Sequence, residues 1–453
     1  MAVSPLLVLL LACTDPHKGS ESGAVGGSTT VADSDSTTLP DDSTTIGTTA
    51  DADGDGYPAP DDCDDADGTT HPGAEDVPDD GLDQDCDGMD ACVVDNWYPT
   101  YIYIHDDEEL STFANFCDEY DGVLGNFSVE NVTAVDLTTF FCLCEIDPGD
   151  YVNGGVAIND NPNLTSLAGL EHITSLEGSW LIQSNPMLSD ISALSRVTTV
   201  GDLQIFDSPI TSLAAFSNVA TWTGSTWFGD LLLTDLDGLQ GMRSVPTLVV
   251  YGDTLTSLRG LENLEEAPTG LSIFAGGDGL YPSQLDSLDG LDSLRSTEWL
   301  YVANFEESFT TFGPLASLES AHLSSIRNHQ LTSLSTPPSL VNLLGFSASG
   351  DSLVSVTATP PSGVVEGDLE LMDSPLLTDL SGLKTLIEVE GDLTVTDNTS
   401  LTSLAGLMNV RSVGGSLTIT GNTALARADA EALVYAIGIK NIGGYITVRD
   451  NGR

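Results

Sequence analysis

The sequence predicts a mainly β protein: a single-strand β-helix solenoid of about 15 coils, preceded by a small disulfide-linked module of Asp-rich loops. Three observations carry this. An apolar pattern recurs every 22 to 25 residues over most of the chain, Asp-x-Asp-x-Asp-Gly occurs at 51–56 and again at 83–88, and six of the seven cysteines fall between Cys63 and Cys144. At 453 residues and 40% hydrophobic content the chain is long enough for several modules and a sizeable core. Its net charge of −57, with only 12 basic residues, makes nucleic acid and anionic lipid poor partners, because phosphate binding relies on cationic side chains. Seventeen Asp and Glu between 51 and 95 indicate cation binding there, whereas the scattered acids of later regions read as solvated surface.

The N-terminus predicts export. Leu6–Ala12 is an apolar run too short to span a bilayer, which takes about 20 residues, but it suits a secretory signal over 1–12. Leu10-Leu11-Ala12-Cys13 resembles the bacterial lipobox, although the region before it lacks Lys and Arg. The resemblance implies that Cys13 becomes the lipidated first residue, and Thr14 at the following position implies outer-membrane rather than inner-membrane anchoring. Residues 13–50, rich in Gly, Ser, Thr and Asp, have little to bury and read as a tether spanning ~30 Å.

The module at 51–91 carries the chemistry. Asp51, Asp53 and Asp55 at positions 1, 3 and 5, Gly56 at 6, the Tyr57 carbonyl at 7 and Asp62 at 12 have the spacing of an EF-hand calcium loop. Pro58 and Pro60 argue against flanking helices, so a helix-free loop is expected. A second set, Asp83, Asp85, Asp87 and Gly88, has Val94 at its twelfth position and needs another carboxylate, with Asp90 and Asp64 as candidates, or else completes the first site. Cys63 and Cys86 lie inside the two acidic runs, where a disulfide would clamp them; the pairing of Cys92, Cys117, Cys142 and Cys144 stays open. The segment 51–90, with "DGDGY", "DCDD", "HPGAED" and "DGLDQDCDG", resembles the MopE-type metal-binding motif of bacterial surface proteins. Copper is attached to that family's name, but all-oxygen ligands suit calcium, and the nearby His71 reads as a turn residue before Pro72.

From 92 to 453 the repeat takes over. "LTVTDNTSLTSLAGLMNVRSVGGS" (393–416), "LELMDSPLLTDLSGLKTLIEVEGD" (369–392) and "VAINDNPNLTSLAGLEHITSLEGS" (156–179) share three alternating residues, then apolar residues at every third position. Alternation predicts a strand, and the three-residue spacing predicts turns or short 3₁₀ segments stacked over a core. Strand starts are predicted near 102, 127, 156, 181, 203, 226, 248, 271, 300, 323, 345, 369, 393, 417 and 446. Longer steps are assigned to an insertion at 276–284 and a helix at 427–438. Asn161, Asn185, Ser208, Ser374, Asn398 and Asn422 recur just after the strand and read as a structural ladder, Asn also tolerating the αL bend. These repeats resemble the receptor L-domain, a leucine-rich-repeat-like right-handed β-helix, which implies the fold but no particular ligand.

Function follows from what these parts can do. No G-x-S-x-G, H-E-x-x-H, P-loop or Rossmann signature occurs, and the six His are scattered, so a non-enzymatic, lipid-anchored surface binding or adhesion protein is expected. The expected partner is an extracellular protein or glycan. The alternatives are a polysaccharide-active β-helix enzyme and a purely structural envelope component. Trp180, Trp222, Trp227, Trp299 and Tyr301 lie on or beside predicted strands, where core filling is the commoner role and a ligand anchor the rarer one.

Overall fold

Alternation of Leu393 and Val395 with Thr394 and Thr396 fixes which side of a strand is dry, and stacking the same pattern coil upon coil makes one interior. The computed structural model describes residues 51–453 except 60, 78–81, 87, 89, 148–154, 276–284, 286, 304–314, 327–330 and 359. The expected signal segment, Cys13 and the 13–50 tether lie outside the described residues, as do Asp87 and the insertion at 276–284.

One parallel ladder runs through the chain. Its strands are β1 Ile102–Ile104, β2 Phe127–Glu130, β3 Gly155–Asn159, β4 Ser175–Gln183, β5 Thr199–Phe206, β6 Ser225–Gly229, β7 Thr247–Gly252 and β8 Gly270–Ala275. They continue as β9 Ser296–Ala303, β10 Ser320–Ile326, β11 Asn342–Ala348, β12 Leu369–Met372, β13 Leu393–Thr396, β14 Leu417–Thr420 and β15 Ile446–Arg449. Each pairs in parallel with the next, as Leu393↔Leu417 and Leu417↔Ile446 illustrate. Every predicted strand start falls in or beside one of these strands. The count of coils differs from the expected 15: the first connection contains a helix, α1 (Asp107–Thr112), and the last contains α2 (Arg427–Ile437), leaving about 12 ordinary turns. A repeat stack needs end pieces that are not repeats, and α2 buries Ala430, Leu433, Val434 and Ile437 against the last coils.

The three-residue spacing becomes the remaining arms of the coil. Leu401, Leu404, Leu407 and Val410 are all buried, and 3₁₀ turns form at Ser192–Leu194, Ala214–Phe216 and Ala405–Leu407. The Gly of Leu-x-Gly-Leu is required where the coils press together: at Gly238, φ is +114° and a Cβ would overlap the Leu213 carbonyl of the preceding coil.

Asparagine carries the corner after the strand. Asn161, Asn185, Asn398 and Asn422 are fully buried. Asn398 Nδ2 donates to the Leu371 carbonyl at 2.9 Å while its Oδ1 accepts the Ser374 amide at 3.1 Å, and Asn422 Oδ1 accepts the Asn398 amide at 3.1 Å. Ser374 carries the ladder onward by accepting the Gly350 amide. The left-handed bend belongs to the preceding residue: Asp160, Ser184, Asp207, Asp230, Asp373, Asp397 and Asp450 have φ between 47° and 58°, so the ladder Asn is spared that strain. Only Asn131 itself takes this conformation among the described asparagines.

At the N-terminal end Cys92 pairs with Cys144 and Cys117 with Cys142, which closes the open assignment. These bridges surround an aromatic cluster in which Phe140 meets Phe116 and Phe127 edge-on at 5.3 and 5.0 Å. Trp180 and Trp222 fill the core as expected, whereas Trp299 stands 45% exposed. Among the described residues no helix is long and apolar enough to cross a membrane.

Candidate metal centre

Two short loops repeat one local geometry. In the first, Asp51 Oδ1 accepts the Gly54 amide at 2.6 Å and Oδ2 the Gly56 amide at 3.1 Å. In the second, Asp83 Oδ2 accepts the Gly88 amide at 2.7 Å, again from position 6 to position 1. Position 4 is left-handed in both, Gly54 at φ 87° and Cys86 at φ 57°. Short Asx turns of this kind bend the backbone tightly enough to aim alternate carboxylates inward.

The first loop converges. One carboxylate oxygen each of Asp51, Asp53 and Asp55 lies within 4.8 Å of the others. Oxygens bound to a single Ca²⁺ at 2.3–2.6 Å on opposite sides lie about 5 Å apart, so this spacing admits one ion. Asp53 Oδ1 accepts the Asp55 amide at 3.2 Å and Asp55 Oδ1 the Tyr57 amide at 2.8 Å. Their Oδ2 atoms are buried without a hydrogen-bond partner, as is Oδ2 of Asp62, a residue only 6% exposed. Burial, followed by the neighbouring Asp55, Asp62 and Asp51 carboxylates, raises the Asp53 carboxyl above its usual range, while the Asp55 amide works against the shift. Buried acceptors with no donor are costly, and a hard cation satisfies them.

Asp62 does not sit within that triple. It lies beside Cys63 and Cys86, with Oδ1 on the Asp64 amide at 2.8 Å. Those two cysteines form the expected disulfide, so neither sulfur is a thiolate ligand. Tyr57 stacks its ring on His71 with centroids 4.9 Å apart. His71 Nδ1 lies 3.3 Å from the Pro72 carbonyl, and its own carbonyl accepts the Ala74 amide in a turn. The imidazole belongs to none of the acidic groups among the described residues.

The second loop finds its extra carboxylate in a place the spacing did not indicate. Asp76, seven residues before Asp83, brings an oxygen within 4.8 Å of Asp83 and Asp85. Neither Asp90 nor Asp64 belongs to this group; Asp64 accepts the Ala66 amide instead. Asp76 Oδ1 accepts the Gln84 amide at 2.8 Å and its Oδ2 is buried without a partner. Buried Gln84 ties the two segments together, accepting the Val77 amide at Oε1 and the His71 amide at its carbonyl, both at 2.8 Å. The missing twelfth ligand was the only sign in the sequence that an acid must come from elsewhere. Asp87, the remaining predicted ligand, lies outside the described residues.

Comparison with protein families places a match on this module: the MopE copper-binding family model, described as "Putative metal-binding motif", matches residues 62–91. The match contains Asp62, both bridged cysteines and the Asp76–Asp83–Asp85 group, and begins after the Asp51–Asp55 loop. The search of curated proteins finds no match to the chain.

Proposed function

We propose that this chain is an exported, lipid-anchored surface protein in which calcium rigidifies the Asp-rich module and the β-solenoid serves as a binding surface for an extracellular partner. The carrying observation is the set of buried carboxylate oxygens on Asp53, Asp55 and Asp62 that no hydrogen bond satisfies. Three hard oxygens from Asp51, Asp53 and Asp55, with Asp76, Asp83 and Asp85 forming a second set, favour calcium over copper, which prefers imidazole or sulfur. Anchoring through Cys13 rests on the lipobox-like Leu10–Cys13 segment, and outer-membrane placement on Thr14.

The solenoid fits binding better than catalysis because aspartates at its strand starts are spent on the backbone. Asp368 Oδ1 accepts the Asp392 amide and Asp392 Oδ1 the Ser416 amide, both at 2.6 Å. The likeness of its repeats to receptor L-domains points the same way.

Calorimetric titration of the full chain tests the metal reading. Calcium is expected to bind and to slow proteolysis within 51–91, with affinity roughly tenfold or more weaker in Asp53→Asn; tighter binding of Cu²⁺, or calcium affinity indifferent to Asp53→Asn, overturns it. For the anchor, Cys13→Ser is expected to move the protein from the membrane to the soluble fraction, and continued membrane retention contradicts lipidation.

A further inference from the structure

The outward side of the ladder holds an aromatic patch that the core does not use. Phe206 on β5 is in register with Gly229 on β6, Tyr251 on β7 and Phe274 on β8, and Trp227 pairs with Gln204 one step closer to the strand starts. Their neighbours Ile205, Phe228, Val250 and Ile273 are buried, so alternation turns Phe206, Trp227, Tyr251 and Phe274 to the other face, where they are half-buried. Gly229 makes the patch continuous. With no side chain there, Tyr251 leans across it to stack on Phe206, centroids 5.9 Å apart and rings 25° from parallel, and a Cβ would overlap the Tyr251 ring. Trp227 meets Phe206 edge-on at 6.5 Å.

Carboxylates border this patch. Asp207 and Asp230 follow their strands in the left-handed conformation, φ 48° and 51°, and with Ser208, Pro209 and Leu232 they line a shallow, open surface depression of about 220 Å³. Their charge reaches the aromatic rings: burial first, then Asp230 and Asp207, raises the Tyr251 phenol, so it stays a protonated donor. Strands β5 to β8 contain no Lys or Arg. Arg243 and Arg295 pair with Glu265, and Arg259 with Asp235 and Asp237.

Resting on the partner-binding reading of the solenoid, we propose that this face docks a basic protein segment, one Lys or Arg of which lays its stem on Phe206, Trp227 and Tyr251 and seats its cation between Asp207 and Asp230. Charge complementarity selects this occupant. Flat rings favour cations and the apolar stems of Lys and Arg, paired carboxylates favour the head group, and a chain of net charge −57 repels acidic glycans. An uncharged sugar would use the rings and gain little from the two carboxylates.

Fluorescence anisotropy of the full chain with a labelled Arg-Gly repeat peptide, at about 0.15 M salt, tests this. Binding is expected to weaken roughly tenfold in Trp227→Ala and in the double variant Asp207→Asn/Asp230→Asn, with Tyr251→Phe, which keeps the ring, close to the parent. The charge-matched control Asp373→Asn/Asp397→Asn removes the same two charges from the same bend of later coils and is expected to change affinity less than twofold. Equal loss in the control would show only the general field of an acidic protein and overturn the proposal. So would no preference for the Arg peptide over its Gln counterpart, or binding of a neutral oligosaccharide that Trp227→Ala abolishes. Thermal melts of each variant exclude unfolding as the cause. A partner captured equally by parent and face variants would leave the binding function standing and refute this location.

Discussion

The Asp module and the solenoid put the same residue to opposite uses. Among the described residues of 51–91 no side chain joins the buried hydrophobic cluster, which starts at Ile102 and ends at Ile442. The module is held by a disulfide, by carboxylates folded back on amides, and by whatever satisfies the inward oxygens. The solenoid is held by leucine layers and buried amides, and its aspartates stand one per coil at bends such as Asp373 and Asp397. Asp53 beside Asp55 is a destabilising arrangement that a bound cation would relieve; Asp397, exposed and spaced a full coil from Asp373, needs none. Density of carboxylates, not their number, separates a metal site from a solvated surface.

The contrast can be broken most severely at the amide ladder. Asn398→Ala removes the partner of the buried Ser374 amide and the donor to the Leu371 carbonyl, and is expected to cost roughly 2–5 kcal/mol in denaturant unfolding. Calcium affinity of the module is expected to be unchanged, and chelation is not expected to move the solenoid transition. A shift of that transition by chelator as large as that of Asn398→Ala would show that the two regions share one stability.

A smaller effect sharpens the role of burial within the solenoid. His322 is 6% exposed, stacked on Trp299 at 3.8 Å and 3.3 Å from Ser347 Oγ. Burial lowers its pKa to about 4, against a weak opposing pull from Asp368. The folded state therefore binds the proton less readily than the unfolded chain: its contribution to stability is full above pH 6.5 and is lost as pH falls towards 4. Unfolding free energy is expected to drop by about 2 kcal/mol between pH 7 and pH 5 relative to His322→Gln. Parallel pH profiles for the two proteins would refute a buried neutral imidazole.

Much of this was legible because the interactions repeat at fixed spacing. The strand positions, the 3₁₀ segments, the ladder role of Asn161, Asn185, Asn398 and Asn422, and the Asp51–Asp53–Asp55 convergence all follow from local period and loop spacing. Other features were not. The αL bend falls not on the ladder Asn but on the residue before it, Asp160, Ser184, Asp397 or Gly421, since the buried amide must keep both its donor and its acceptor aligned along the stack. Asp76 was missed because it precedes its loop, and Gln84 because its value lies in bridging two segments.

The sequence alone determined the coil. Each repeat carries its own strand, corner and leucines, and identical units have one way to stack that buries every apolar edge and pairs every strand. Tertiary structure decided what depends on separate segments meeting: Cys92 with Cys144, Cys117 with Cys142, Asp76 beside Asp83, and Tyr251 lying over Gly229. Periodicity is written along the chain, whereas approach between unlike segments is fixed only when the backbone has closed and the side chains compete for the same space.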